Sequence, residues 1–289
     1  MFKKCIYYPA FVILLVHHAI ISEAQQFGRN KPHYTTFDFK VTESKHFQLY
    51  HYLKNDPVAE TFLGTSEDWY AYEKIIFRDT FPEQNPIILY ANHADFQQTT
   101  AISSVIGVGT GGVTEALRNR VVLPLMEINS QTNHVLGHEL VHAFQYRMFK
   151  NSKDSLSLSD IQRIPLWMVE GLAEYLSIGN VDPHTAMWMR DAVRENDFPT
   201  LEDLTRSMKY FPYRYGQAFW PFITGIFGDT VAYPIFLNTA RFGYEEAVRR
   251  VTGLEEEAFS NIWKKNMVDY YAQYKSPGQP DNLAGRQLI

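Results

Sequence analysis

Gly137-His138-Glu139-Leu140-Val141-His142-Ala143-Phe144-Gln145 is the stretch on which the reading of this chain turns. A spacing of four residues returns a side chain to the same helix face one turn on, so His138 and His142 present both imidazoles to one point. Two imidazoles so placed grip a single ion, and zinc is the ion this motif suits. Glu139 lies about 100° round the helix from His138, near enough to hold a water on that ion without being a ligand. It is the candidate general base. Val135, Leu136, Leu140, Val141, Phe144 and Met148 make Asn133 to Met148 a buried helix, and buried imidazoles need partners, which a metal supplies. The reading to displace is a helix with two packed, hydrogen-bonded histidines.

A catalytic zinc takes three protein ligands and keeps one position open for water. The all-histidine form HExxHxxGxxH would need Gly at 145 and His at 148; Gln145 and Met148 exclude it. Attention moves to Trp167-Met168-Val169-Glu170-Gly171-Leu172-Ala173-Glu174-Tyr175, an apolar helix entered through Pro165, where an unpaired buried carboxylate would be costly. Glu174 follows Glu170 by one turn on the same face, so the two acids repel unless positive charge lies beside them. The functional reading makes Glu170 the third ligand and Glu174 the acceptor that holds the N–H of His138. The two glutamates exchanging roles, or both being solvated on the helix face, are the alternatives.

Composition sets the frame. With 289 residues, 45% of them hydrophobic, the chain has enough apolar surface for one large core, and a net charge of −5 without a basic stripe argues against nucleic acid or an anionic membrane as partner. Lys3 and Lys4, the apolar run Ile6 to Ile21 and Ser22-Glu23-Ala24 have the order of a signal peptide, residues 1–24, cleaved after Ala24. The expectation is an exported protein, periplasmic or extracellular, with no stable membrane insertion after cleavage; an uncleaved anchor is the weaker alternative. The one cysteine, Cys5, lies inside that segment, so the mature chain is expected to lack disulfides.

Around Phe37 to Val41 and His46 to Tyr50, apolar and polar residues alternate as in strands; Pro86 to Tyr90 and Arg120 to Leu125 are short apolar strands, the latter read as an edge strand because it meets Pro124. Val58 to Phe77 has helical spacing. The Gly-rich run Val105 to Thr114 has no Lys-Ser/Thr after it and is read as a mobile loop or a close backbone approach to substrate, not a phosphate loop. After a polar loop at 151–160, helical spacing covers Pro183 to Glu195, Thr200 to Ser207, Arg214 to Phe227, Thr230 to Ala240, Tyr244 to Val251 and Leu254 to Tyr274. The expected class is α+β: a mixed-sheet lobe over about 25–130, the zinc helix 133–148, a helical lobe 160–275, and a linker or tail at 276–289.

Several stretches together resemble the peptidase MA-like gluzincins: Gln26 to Lys31, the strand around His46-Phe47, Pro86 to Tyr90, Gly112-Val113-Thr114-Glu115, Arg120 to Pro124, His138 to His142, Trp167 to Tyr175 and Met187 to Ala192. The resemblance is greatest to exported bacterial members with a TolB-like β-propeller behind the protease domain. It implies a thermolysin-like zincin fold in which His138, His142 and Glu170 bind one Zn2+, and a reaction in which zinc-bound water, deprotonated by Glu139, attacks the carbonyl of a peptide or protein substrate. A tyrosine follows the third ligand in that family; Tyr213-Arg214-Tyr215-Gly216 takes the place here, with Tyr213 as the phenol that steadies the oxyanion and Tyr215 next. An ordinary core tyrosine is the other reading. Relatives enter the propeller after a proline-rich stretch such as Ser276 to Pro280, so either this chain lacks it or a longer form carries it. A non-catalytic, zinc-stabilised cell-envelope binding module is the rival function.

Overall fold

The computed structural model describes residues 31, 33–103, 105–150 and 156–274; the signal-peptide and tail expectations lie outside them. Five strands form one mixed sheet: β1 (Lys40–Glu43), β2 (Phe47–His51), β3 (Asn85–Tyr90), β4 (Val113–Glu115) and β5 (Arg120–Pro124), in the order β1-β2-β3-β5-β4. β2, β3 and β5 run parallel, and the outer strands β1 and β4 pair antiparallel to their neighbours. Helix α1 (Asp56–Phe77) makes the crossover from β2 to β3. It opens with Pro57 in the first turn, where the missing N–H is no loss, and ends at Arg78 in the left-handed region with φ 52°.

Alternation decides which sheet face is covered by helix. Phe47, Leu49 and His51 of β2, with Ile87 and Leu89 of β3, are fully buried against α1 and against α3 (Asn129–Lys150), the helix that carries the two histidines. A smaller cluster of Tyr90, Phe96, Ile106 and Val122, packed with Phe37, Phe39 and Tyr52, covers the opposite face; Phe96 comes from the one-turn helix α2 (His93–Phe96). The structure corrects two strand expectations: β1 begins only at Lys40, so Phe37 to Phe39 lie outside it, and β5 is not an edge. Val121, Val122 and Leu123 are wholly buried on both faces, as a central strand requires, and Pro124 is tolerated because the ladder ends there. The edge beside α3 is β4, which grows out of the glycine-rich run.

From α3 onward the described chain is helical: α4 (Leu166–Ile178), α5 (Pro183–Arg194), α6 (Leu201–Arg206), α7 (Pro212–Phe227), α8 (Ala232–Phe242), α9 (Tyr244–Thr252) and α10 (Glu256–Ala272). In the described part of the chain before α4, Leu158–Arg163 form a 3-10 turn whose start carries a reciprocal Ser157 and Asp160 cap. Helix α4 stops at Gly179, whose φ of 84° is the conformation glycine supplies without strain. Its Tyr175 hydroxyl meets Thr224 Oγ1 at 2.8 Å and donates to Asp229 at 2.9 Å, tying α4 to α7 and the turn behind it. Tyr175 is thus a fastener between helices.

Candidate metal centre

Helices α3 and α4 bring three donor atoms to one point. His138 Nε2 lies 3.1 Å from His142 Nε2, and Glu170 Oε2 is 3.3 Å from each of them. Zinc ligands at their usual bond length of about 2.0–2.1 Å in a tetrahedron stand roughly 3.3 Å apart. The triangle therefore has the dimensions of one face of a tetrahedral metal site. Glu170 Oε2 is buried and has no aligned hydrogen bond among the described residues, so its lone pairs face the imidazoles.

The protonation pattern supports a centre that wants positive charge. Burial alone would raise the Glu170 pKa, but His142 and His138 outweigh it and hold the carboxyl well below the usual carboxylate range. Burial alone would lower the His138 pKa, but Glu170 and Glu174, with Glu139 beyond, push it up to about 10. A divalent cation bound there would take the place of the proton that His138 otherwise carries.

His142 Nδ1 donates to Gln145 Oε1 at 2.8 Å, which leaves its Nε2 lone pair facing the triangle, and the amide of Gln145 is fixed by the Val169 carbonyl at 3.0 Å. Gln145, which entered the sequence argument only to exclude another ligand set, is the group that orients His142. Glu174 Oε1 lies 3.2 Å from His138 Nδ1, at ion-pairing distance, but its aligned hydrogen bond is with His134 Nε2, also at 3.2 Å. Burial alone would raise the Glu174 pKa, but the imidazoles of His134 and His138 beside it outweigh that and lower it to about 2. His134 was missed in the sequence, although it extends the histidine stripe of α3 by one turn toward the N-terminus. His134, His138 and Glu174 make a second metal-like cluster, but it shares His138 with the first, and the other oxygen of Glu174 already faces Arg214 at 3.0 Å. It reads as support for the first centre.

Glu139 stands beside the triangle, buried, with its carboxylate against strand β4. The Thr114 hydroxyl lies 2.7 Å from Glu139 Oε2 and 2.8 Å from the Glu139 carbonyl, pinning one carboxylate oxygen and leaving Oε1. Gly112 is required here: a Cβ on it would lie 2.9 Å from both Cγ and Oε1 of Glu139. The glycine-rich run thus makes a close backbone approach to the candidate base. Tyr213 lies parallel to His138, ring centroids 6.0 Å apart at 10°. Burial and the Glu170 carboxylate raise its pKa, so the phenol keeps its proton as a donor. Tyr215 packs on Tyr210, Phe198 and Trp188 instead. On the other side Tyr146, unforeseen in the sequence, stacks on His142 at 6.1 Å, with burial foremost in pushing its pKa up to about 12.

Glu73 of α1 is an acid that this centre does not use. It is fully buried, and neither carboxyl oxygen has a hydrogen-bond partner among the described residues. Burial raises its pKa well above the ordinary value, against a smaller opposing pull from His138. The folded state therefore holds a proton that the unfolded state releases near pH 4.5, and stability falls as pH rises above that value. Glu73→Met should stabilise the protein by about 1–3 kcal/mol near neutral pH, with a smaller gain at pH 5. Denaturant titrations of both proteins at pH 5, 7 and 8.5 measure this; a gain independent of pH would show that the proton plays no part.

No protein-family model matches the chain, and no curated protein matches it.

Proposed function

We propose that this protein is a zinc-dependent hydrolase of gluzincin type on a thermolysin-like zincin fold, exported, and acting on peptide bonds. The observation that carries the reading is the triangle of His138, His142 and Glu170, with donor atoms 3.1 to 3.3 Å apart, and an acid pinned beside it that is not one of the three. A zinc ion held there supplies a Lewis acid that brings the pKa of a water to about 7 and polarises a carbonyl. Glu139 takes the proton from the attacking water and delivers it to the leaving amine. Tyr213 donates its phenolic hydrogen to the carbonyl oxygen as charge builds on it. Strand β4, a sheet edge among the described residues and the one beside Glu139, offers its backbone to an extended peptide by strand addition.

Export rests on the segment from Lys3 to Ala24; among the described residues no helix is long and apolar enough to cross a membrane. The test is metal analysis of the mature chain purified without chelator, together with digestion of casein and a peptide library. We expect one zinc per chain, cleavage abolished by phenanthroline, and recovery on adding zinc. Zinc without turnover would favour the binding-module alternative; absence of zinc would end both.

A further inference from the structure

Arg214 follows Tyr213 in the first turn of α7, and its side chain is largely covered, 20% exposed. A single nitrogen, Nη1, lies 3.0 Å from Glu174 Oε2 and 3.2 Å from Asp182 Oδ2. Asp182 is the N-cap of α5, accepting the Thr185 N–H at 2.6 Å. One guanidinium therefore fastens α4 and α5 to the start of α7, and it separates two carboxylates that would otherwise repel. Glu174 has its two oxygens turned to different tasks: Oε2 to Arg214, Oε1 to His134 and His138. The residue before Arg214 lays its ring over the same His138. Both the Nδ1 side of that imidazole and its face are thus set from adjacent positions, 213 and 214.

We propose that Arg214 is a positioning residue for the metal centre, holding Glu174 against His138 and fixing the turn that places Tyr213 over that ring. Metal affinity and the reach of the phenol then depend on one side chain. The phenol half rests on the hydrolase reading; the metal half does not.

The experiment compares wild type, R214M, R214K and Y213F, with R214M/Y213F closing a cycle. Zinc affinity, read by competition with a chromophoric chelator, is expected to fall about tenfold to a hundredfold in R214M. R214K, whose ammonium restores the charge at a shorter reach, should recover part of that loss, which a purely packing role would not allow. In peptide cleavage, Y213F should lower kcat in the wild-type background and change it little in R214M, with KM moving less than kcat. Wild-type zinc affinity in R214M, or full multiplication of the two kcat effects, overturns the proposal. Should R214M not fold, R214K against wild type carries the zinc comparison, where equal affinities overturn it. Wild type that binds zinc but cleaves nothing sinks the peptidase reading and leaves the zinc comparison standing.

Discussion

Glu139→Gln is expected to keep its fold and its zinc while hydrolysis falls by about 10² to 10⁴-fold. The exchange is nearly isosteric. The amide oxygen can still accept from Thr114, and the side chain still fits against Gly112 where a bulkier backbone neighbour would not. None of the three converging donor atoms belongs to residue 139, so metal stoichiometry should be unchanged. What disappears is a site able to take a proton from water and return it to the leaving nitrogen. Cleavage of a fluorogenic peptide by wild type and variant, each with measured zinc content, decides it. Turnover within a few-fold of wild type would remove Glu139 from the role assigned to it, and loss of zinc would show that the carboxylate was needed as a ligand.

The parts of this centre that follow local periodicity were legible in the chain. His138 and His142 had to share a face once their segment was helical, and Glu170 stood out because a carboxylate in so apolar a helix needs a partner. Partners supplied by other elements were not legible. Gln145 orients His142 only because the Val169 carbonyl of the next helix fixes its amide, and nothing local to residue 145 announces that carbonyl. The edge assignment of Arg120 to Pro124 failed for the same reason: a proline at a strand end looks like an edge until another strand is known to lie alongside, and that strand emerged from a run read as loop. Glu73, between Tyr72 and Lys74, reads as an ordinary helix-surface carboxylate, and its complete burial comes from tertiary packing.

Gly216→Ala should be the most damaging single methyl that can be added to this chain near the centre. Helices α4 and α7 cross at Gly171 and Gly216, backbone against backbone. A Cβ on Gly216 would stand 1.9 Å from the Trp167 carbonyl oxygen and 2.8 Å from Gly171 Cα; one on Gly171 would stand 2.4 Å from both Cα and C of Gly216. Backbone atoms cannot rotate aside as a side chain does, so the helices must part. Overpacking of this kind costs about 1–3 kcal/mol, occasionally more, and the contact with Trp167 puts Gly216→Ala at the upper end. For a chain of this size that is a fall in Tm of roughly 6–12 °C. Parting the helices also separates functions: α4 carries Glu170 and Glu174, and α7 carries Tyr213 and Arg214. Zinc affinity should therefore drop with stability. Gly64→Ala in α1 is the matched control, because a Cβ there meets nothing within 4 Å, and alanine in an exposed helix interior gains about 0.5–1 kcal/mol over glycine. The same chemical change should thus move the two proteins in opposite directions in parallel thermal melts, and a Gly216→Ala protein melting with wild type would mean that the two helices do not meet as closely as the centre requires.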